Sequence, residues 1–241
     1  MENRHSNKTD AIEENIKNIF DKVREAALKS GRSFEDITVL AATKTQNTDI
    51  INRAIAAGIT NIGENRVQEL TEKFFGYSKA AKIEFIGHLQ VNKVKYIVDK
   101  VDRIQSVDSI KLAEEINRQC KKLNKTMDIL VEVNIGMEES KSGVYPENLL
   151  QILEEIAKLS HVSVHGLMTV PPICTDRDML KRYFNTLYKD FLDIRGKKMD
   201  NIYMDTLSMG MSGDYYDAII CGANLIRLGT AVFGSRKKLE D

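Results

Sequence analysis

The sequence predicts an α/β fold, a single (β/α)8 TIM barrel with an extra N-terminal helix. Eight short apolar runs alternate with longer amphipathic stretches over residues 37–234. That alternation implies βα units, right-handed crossovers and a parallel sheet. Eight units within 241 residues is the size of a closed barrel. No Gly/Ser-rich or low-complexity linker divides the chain, whose three prolines are Pro146, Pro171 and Pro172. Residues 1–241 therefore read as one domain.

The N-terminal helix is read from Ile12, Ile16, Ile19, Val23 and Ala27, which recur at helical spacing and stop before Gly31. This segment, 1–31, precedes a barrel spanning 37–234. Strands are expected in ITVLAA from 37, TNIG from 60, IEFIG from 83, RIQSV from 103, MDILVEVNI from 127, VSVHGLM from 162, NIYMDTLSM from 201 and NLIRLG from 224. Helical patterns lie between them in DIINRAIAAG, SIKLAEEINRQCKKL, PENLLQILEEIAKLS and DMLKRYFNTLYKDFLDI. An open doubly wound sheet is the alternative, but no GxGxxG follows the first strand.

Thirty-five basic and thirty-five acidic residues cancel. No overall field then draws the protein to nucleic acid or an anionic membrane, and a small-molecule ligand is expected. The first fifteen residues contain no apolar signal region and no run is long enough to span a membrane, so the expectation is a soluble cytoplasmic protein. Cys120, Cys174 and Cys221 are odd in number, without a CxxC pair or a histidine at zinc-ligand spacing. They read as ordinary reduced thiols, and no metal is expected.

Barrel enzymes and binding proteins place their chemistry at the strand C-terminal ends. The polar residues there are Lys44, Glu64, Asn65, His88, Asn134, Thr169, Ser208 and the run Arg227–Thr230. In VLAATKT an apolar β-branched run delivers Lys44 where the first strand ends. Gly229 and Thr230 after the last strand, and Ser208 to Ser212 after the one before, offer small and hydroxyl-bearing residues in the loops where barrels bind phosphate. Helix capping is the competing reading for Asn65 and for Ser212 before DYYDAI. His88 reads as a hydrogen-bonded structural histidine, and the lysines of IGHLQVNKVKY as a solvated helix face. A lysine and a phosphate site on one rim suggest pyridoxal 5'-phosphate, PLP, whose aldehyde needs an amine.

In AATKT, NIGENRVQE, FIGHLQVNK, VEVNIGMEESKSG, GLMTVPP, LSMGMSGDYYDAI and IRLGTAVFG, over about residues 37–234, the chain resembles the pyridoxal phosphate homeostasis protein family. That family, also called the PLP-binding protein or proline synthetase co-transcribed homolog, is similar to the N-terminal barrel domain of alanine racemase. The resemblance implies that Lys44 carries the cofactor as an internal aldimine. Ser208, Ser212, Gly229 and Thr230 would lie in the phosphate region and Arg227 near the pyridine nitrogen. Asn65 would stand close to the ring, with Met168 and Met209 as apolar faces. Lys141 in ESKSG is a candidate second amine.

The resemblance also implies a carrier without substantial catalysis, acting in vitamin B6 homeostasis and handing PLP to apo-PLP-dependent enzymes. An arginine at the pyridine nitrogen leaves that ring a weak electron sink. The alternatives are an amino-acid racemase and a Schiff-base aldolase without cofactor. Alanine racemase takes its second base from a C-terminal domain of the partner subunit. The sequence given ends at Asp241, eight residues after Phe233, so no counterpart of that domain is expected and a monomer is preferred.

Overall fold

In the computed structural model, which describes residues 2–234, the eight apolar runs form parallel strands. They are β1 (Thr38–Ala42), β2 (Asn61–Glu64), β3 (Lys82–Phe85), β4 (Arg103–Val107), β5 (Met127–Glu132), β6 (Val162–Met168), β7 (Ile202–Ser208) and β8 (Leu225–Leu228). Each pairs with its chain neighbour, and β1 also pairs with β8, so the sheet is a closed (β/α)8 barrel. Around it run α1 (Glu2–Lys29), α2 (Thr48–Ala56), α3 (Val67–Lys73), α4 (Ile110–Lys122), α5 (Leu149–Ile156), α6 (Arg177–Arg195), α7 (Tyr215–Ile220) and α8 (Thr230–Phe233).

The period-two alternation of each strand divides the interior into two regions. Val39, Ala41, Ile62, Phe85, Ile104, Val131, Val164, Leu207 and Ile226 face outward and join one apolar layer beneath the helices. Leu40, Leu130, Met168 and Leu225 are equally buried but lie outside that layer, in the barrel itself. Helix α1 extends the outer layer across α2, α7 and α8. Its Ile12, Ile16 and Ile19 are buried, and each contributes roughly 1.5–3 kcal/mol. Asn15 Nδ2 donates to Val232 O at 3.1 Å, tying the helix to the last turn of the barrel.

Between β3 and β4 the lysine-bearing segment is a short 3-10 helix, Val91–Tyr96, rather than an α-helix. Its buried Val94 anchors it, while the ammonium groups of Lys93 and Lys95 lie over the Tyr96 ring, 5.7 and 5.0 Å from its centre. Among the described residues no helix is long and apolar enough to cross a membrane, and no cluster of His, Cys, Asp and Glu could hold a metal ion.

Where β6 meets β5 and β7 the register shifts, and Gly166 sits at the irregularity with φ +150°. A Cβ there would lie 1.7 Å from Thr206 O. Gly166→Ala should therefore force β6 and β7 apart and cost at least about 3 kcal/mol, read as a lower urea midpoint. An unchanged midpoint would show that the two strands can separate without loss.

Candidate functional site

Lys44 follows β1 in an exposed turn. The next residue, Thr45, is held at φ +66°, a left-handed conformation that costs a β-branched residue about 1–3 kcal/mol. Charged groups from α3 offset that cost. Thr45 N–H donates to Glu69 Oε2 at 2.8 Å, and Lys73 Nζ donates to the same oxygen at 3.0 Å. Burial works to raise the Glu69 carboxyl, but the Thr45 amide and Lys73 outweigh it and hold the group below the usual range. Lys73 also donates to Thr43 O at 3.3 Å and to Glu64 Oε1 at 2.9 Å.

Glu64 is fully buried and turns away from the mouth, behind the Lys44 turn. Its Oε1 also accepts from Thr43 Oγ1 at 2.7 Å and Tyr77 OH at 2.8 Å. Burial and the Glu64 charge push the Tyr77 phenol well above its ordinary range, so it remains a donor.

Across the β1–β8 seam, Lys44 and Gln46 share a cavity of about 40 Å³ with Gly229, Thr230 and Phe233. The backbone N–H groups of Gly229 and Ala231 both donate to Ser212 Oγ, at 3.2 and 3.1 Å. Ser212 therefore does not cap α7, which begins after Asp214, but ties the two phosphate-type loops together. With its oxygen accepting twice, its own proton is available to an anion. Thr230 is exposed beside it.

Arg227, in β8, is only 5% exposed. Its Nη1 donates to Ser208 O at 3.0 Å and also to Ser208 Oγ, while Nη2 donates to Thr169 O at 2.7 Å. Burial pushes the guanidinium down to about 10, against Glu132, Asp214 and Glu84, so it is charged at neutral pH. Ser208 is fully buried and its hydroxyl donates to Gln105 Oε1 at 2.7 Å. It stands beneath Arg227, apart from Ser212.

Asn65 follows β2 but does not cap α3, whose N-cap residue is Arg66. Its Oδ1, like Glu64 Oε2 beside it, is buried without a hydrogen-bond partner among the described residues. Gly87 packs against the Asn65 backbone, since a Cβ there would lie 2.1 Å from Asn65 O. Met168 is buried in the barrel interior, whereas Met209 belongs to the outer apolar layer and is not brought to the mouth.

Lys141 is pinned between loops, 2.5 Å from Glu138 Oε2 and 3.4 Å from Pro171 O. Asn134 holds its own loop, donating to Glu138 O at 2.8 Å, and Thr169 Oγ1 donates to Val133 O at 2.7 Å. His88 is hydrogen-bonded as expected, 3.0 Å from Ser142 Oγ, but lies on the surface.

Residues not read from the sequence line the barrel interior. Glu132 ends β5, and its carboxyl is pushed up by burial and by Asp108, against Arg227 and His88. Glu84 and Gln105 lie deeper, in β3 and β4. A polar residue at an inward position of a short apolar strand was the available signal for all three. Lys44, Asn65 and Ser212 follow strands on the rim where β8 carries Arg227, and an amine, a hydroxyl, a guanidinium and an amide are groups whose chemistry fits a phosphorylated aromatic aldehyde.

Residues 8–237 match the family described as alanine racemase, N-terminal domain. A pyridoxal phosphate homeostasis protein of Aquifex aeolicus is 39% identical over 226 residues, covering 93% of this chain and 98% of that one. A crystal structure of an unknown protein from Bifidobacterium adolescentis aligns with TM-score 0.88 at 35% identity, over 93% of this chain and 95% of that one. PipY of Synechococcus elongatus, solved with PLP bound, aligns with TM-score 0.75 at 29% identity, over 88% of this chain and 99% of PipY. The chain thus belongs to the alanine racemase N-terminal domain family and, within it, to the pyridoxal phosphate homeostasis proteins.

Proposed function

We propose that this protein binds PLP at the barrel mouth, holds it as a Schiff base on Lys44 and serves intracellular B6 homeostasis and supply without substantial catalysis. The observation that carries this reading is Lys44 sharing a cavity with Gly229 and Thr230, which puts an amine beside an anion cradle. The family and the PLP-bound PipY support it. When bound, the cofactor supplies an aldehyde that condenses with an amine, releasing water.

The chain's own residues then have separable tasks. Ser212 donates its hydroxyl proton toward the phosphate, with Thr230 beside it. Arg227 offers N–H groups to the pyridine nitrogen and, being a cation, does not favour a protonated ring. Asn65 would stand close to the ring. Such a site retains the aldehyde yet stabilises little carbanion character, which suits storage and delivery to apo-PLP-dependent enzymes in the cytoplasm. Lys141 is proposed as an accessory amine for exchange.

The purified protein should take up PLP and turn yellow, borohydride should fix the cofactor, and Lys44→Ala should abolish the fixed adduct. Added L-alanine should give no sustained D-alanine by chiral chromatography. Fixation at unchanged stoichiometry in the variant would sink the Lys44 assignment, and sustained racemisation would sink the carrier reading.

Ser212→Ala should weaken PLP binding by about 1.5–3 kcal/mol, the worth of a hydrogen bond to a charged group, in a fluorescence titration. Equal affinity would move the phosphate elsewhere. Glu69→Ala frees the strained Thr45 turn and should slow the appearance of the yellow band in stopped-flow mixing by about tenfold, since a misplaced amine reacts poorly. Unchanged kinetics would mean the turn holds its shape without α3.

A further inference from the structure

We propose that Glu84 and Gln105, acting through Ser208, orient Arg227 and so govern the grip on the pyridine nitrogen of PLP. These are positioning residues, and their role rests on the PLP reading above.

The observation is a directed chain of hydrogen bonds through the barrel interior. Arg227 Nη1 donates to Ser208 Oγ, and Ser208 Oγ donates to Gln105 Oε1 at 2.7 Å. Gln105 Nε2 in turn donates to Glu84 Oε2 at 2.7 Å. Asn61 Nδ2 secures the other oxygen, Glu84 Oε1, at 2.7 Å. Four strands beside β2 contribute, namely β8, β7, β4 and β3. Every donor points from the guanidinium toward the carboxylate, so each bond polarises the next in the same sense.

Glu84 is 1% exposed and, among the described residues, accepts from the amides of Asn61 and Gln105. A buried carboxylate costs several kcal/mol, and this chain of bonds couples Glu84 to the Arg227 cation. Arg227 and Glu84 thus form an ion pair relayed by a hydroxyl and an amide. The relay also dictates which donors are spent. Both Nη1 hydrogens go to Ser208 and one Nη2 hydrogen goes to Thr169 O. A guanidinium carries five N–H groups, so Nε–H and the second Nη2–H are left for the ligand. The charges facing Arg227 are Glu132 from β5, Asp214 before α7 and Glu84 from β3. Of these, Glu84 is joined to it through the chain of bonds that fixes its rotamer.

Glu84→Gln keeps the volume and one acceptor oxygen, but it removes the charge at the end of the chain and sets amide hydrogens against one of the two donors, Gln105 Nε2 or Asn61 Nδ2. In the double variant Glu84→Gln/Gln105→Glu the carboxylate moves one link toward Arg227. It accepts from Ser208 Oγ and from the new amide at 84, and the direction returns. Ser208→Ala cuts the chain in the middle with the loss of one atom.

The test is the affinity of each protein for PLP and for 1-deazapyridoxal 5'-phosphate, which has carbon at the ring-nitrogen position, with ligand-free melting temperatures recorded alongside. Wild type should prefer PLP by about tenfold, the worth of one charge-assisted hydrogen bond. That preference should fall toward unity in Glu84→Gln and in Ser208→Ala and return in the double variant. A preference retained in both single variants, no recovery in the double variant, or equal affinity of wild type for the two probes overturns the relay. If wild type binds neither probe, the PLP reading itself fails. Should Glu84→Gln not fold, Ser208→Ala decides the question alone.

Discussion

The pairing of β1 with β8 is the constraint on which the site depends. It sets Leu40 opposite Arg227 and thereby brings the Lys44 turn, from the start of the barrel, against Gly229 and Thr230 at its end. Neither half makes a site alone, since an amine without the cradle is a surface lysine and the cradle without the amine is a glycine turn. Closure of a parallel sheet supplies the juxtaposition, because each strand is forced to end on the same rim.

The interior of this barrel is unusually polar, and the placement of its charges explains why. Arg227 and Glu84 are both buried, Ser208 and Gln105 link them, and Asn61 holds the other oxygen of Glu84. An apolar filling would pack at least as well and avoid the desolvation cost. The polar filling is consistent with a guanidinium that must stay charged and fixed in one rotamer at the mouth. The same logic holds behind Lys44, where Glu64, Glu69 and Lys73 hold the left-handed Thr45. Two rigid supports, one under the ring side and one behind the amine, flank the mouth.

The two supports differ in what surrounds them, and that difference suits a protein that holds and releases its ligand. Lys44 and Thr230 are exposed, so the proposed covalent and phosphate contacts would lie at the solvent edge. Arg227 is enclosed and held by three hydrogen bonds to the protein. On the proposed reading, a fixed deep contact would give selectivity for the ring, while the exposed contacts would leave water and competing amines access to the linkage.

Much of the fold was legible because it is written locally. The β-branched runs at 37, 60, 83, 103, 127, 162, 201 and 224 all became strands, and the helical spacing of Ile12, Ile16 and Ile19 became the buried face of α1. Lys44 and the glycine and hydroxyl loops were visible for the same reason, since each is a short motif at a strand end. What the tertiary structure decided was partnership. Ser208 and Ser212 stand four positions apart in the sequence, yet one lies under Arg227 and the other ties down Gly229 and Ala231. Met168 faces the barrel and Met209 the helices, because strand alternation ends at a register the sequence does not announce. Glu84, Gln105, Glu64 and Lys73 gained their roles from residues on other strands and helices. Sequence by itself determines which segments are strands and which residues lie at their ends; hydrogen bonds across a closed barrel depend on register and stagger, which exist only once all eight strands have met.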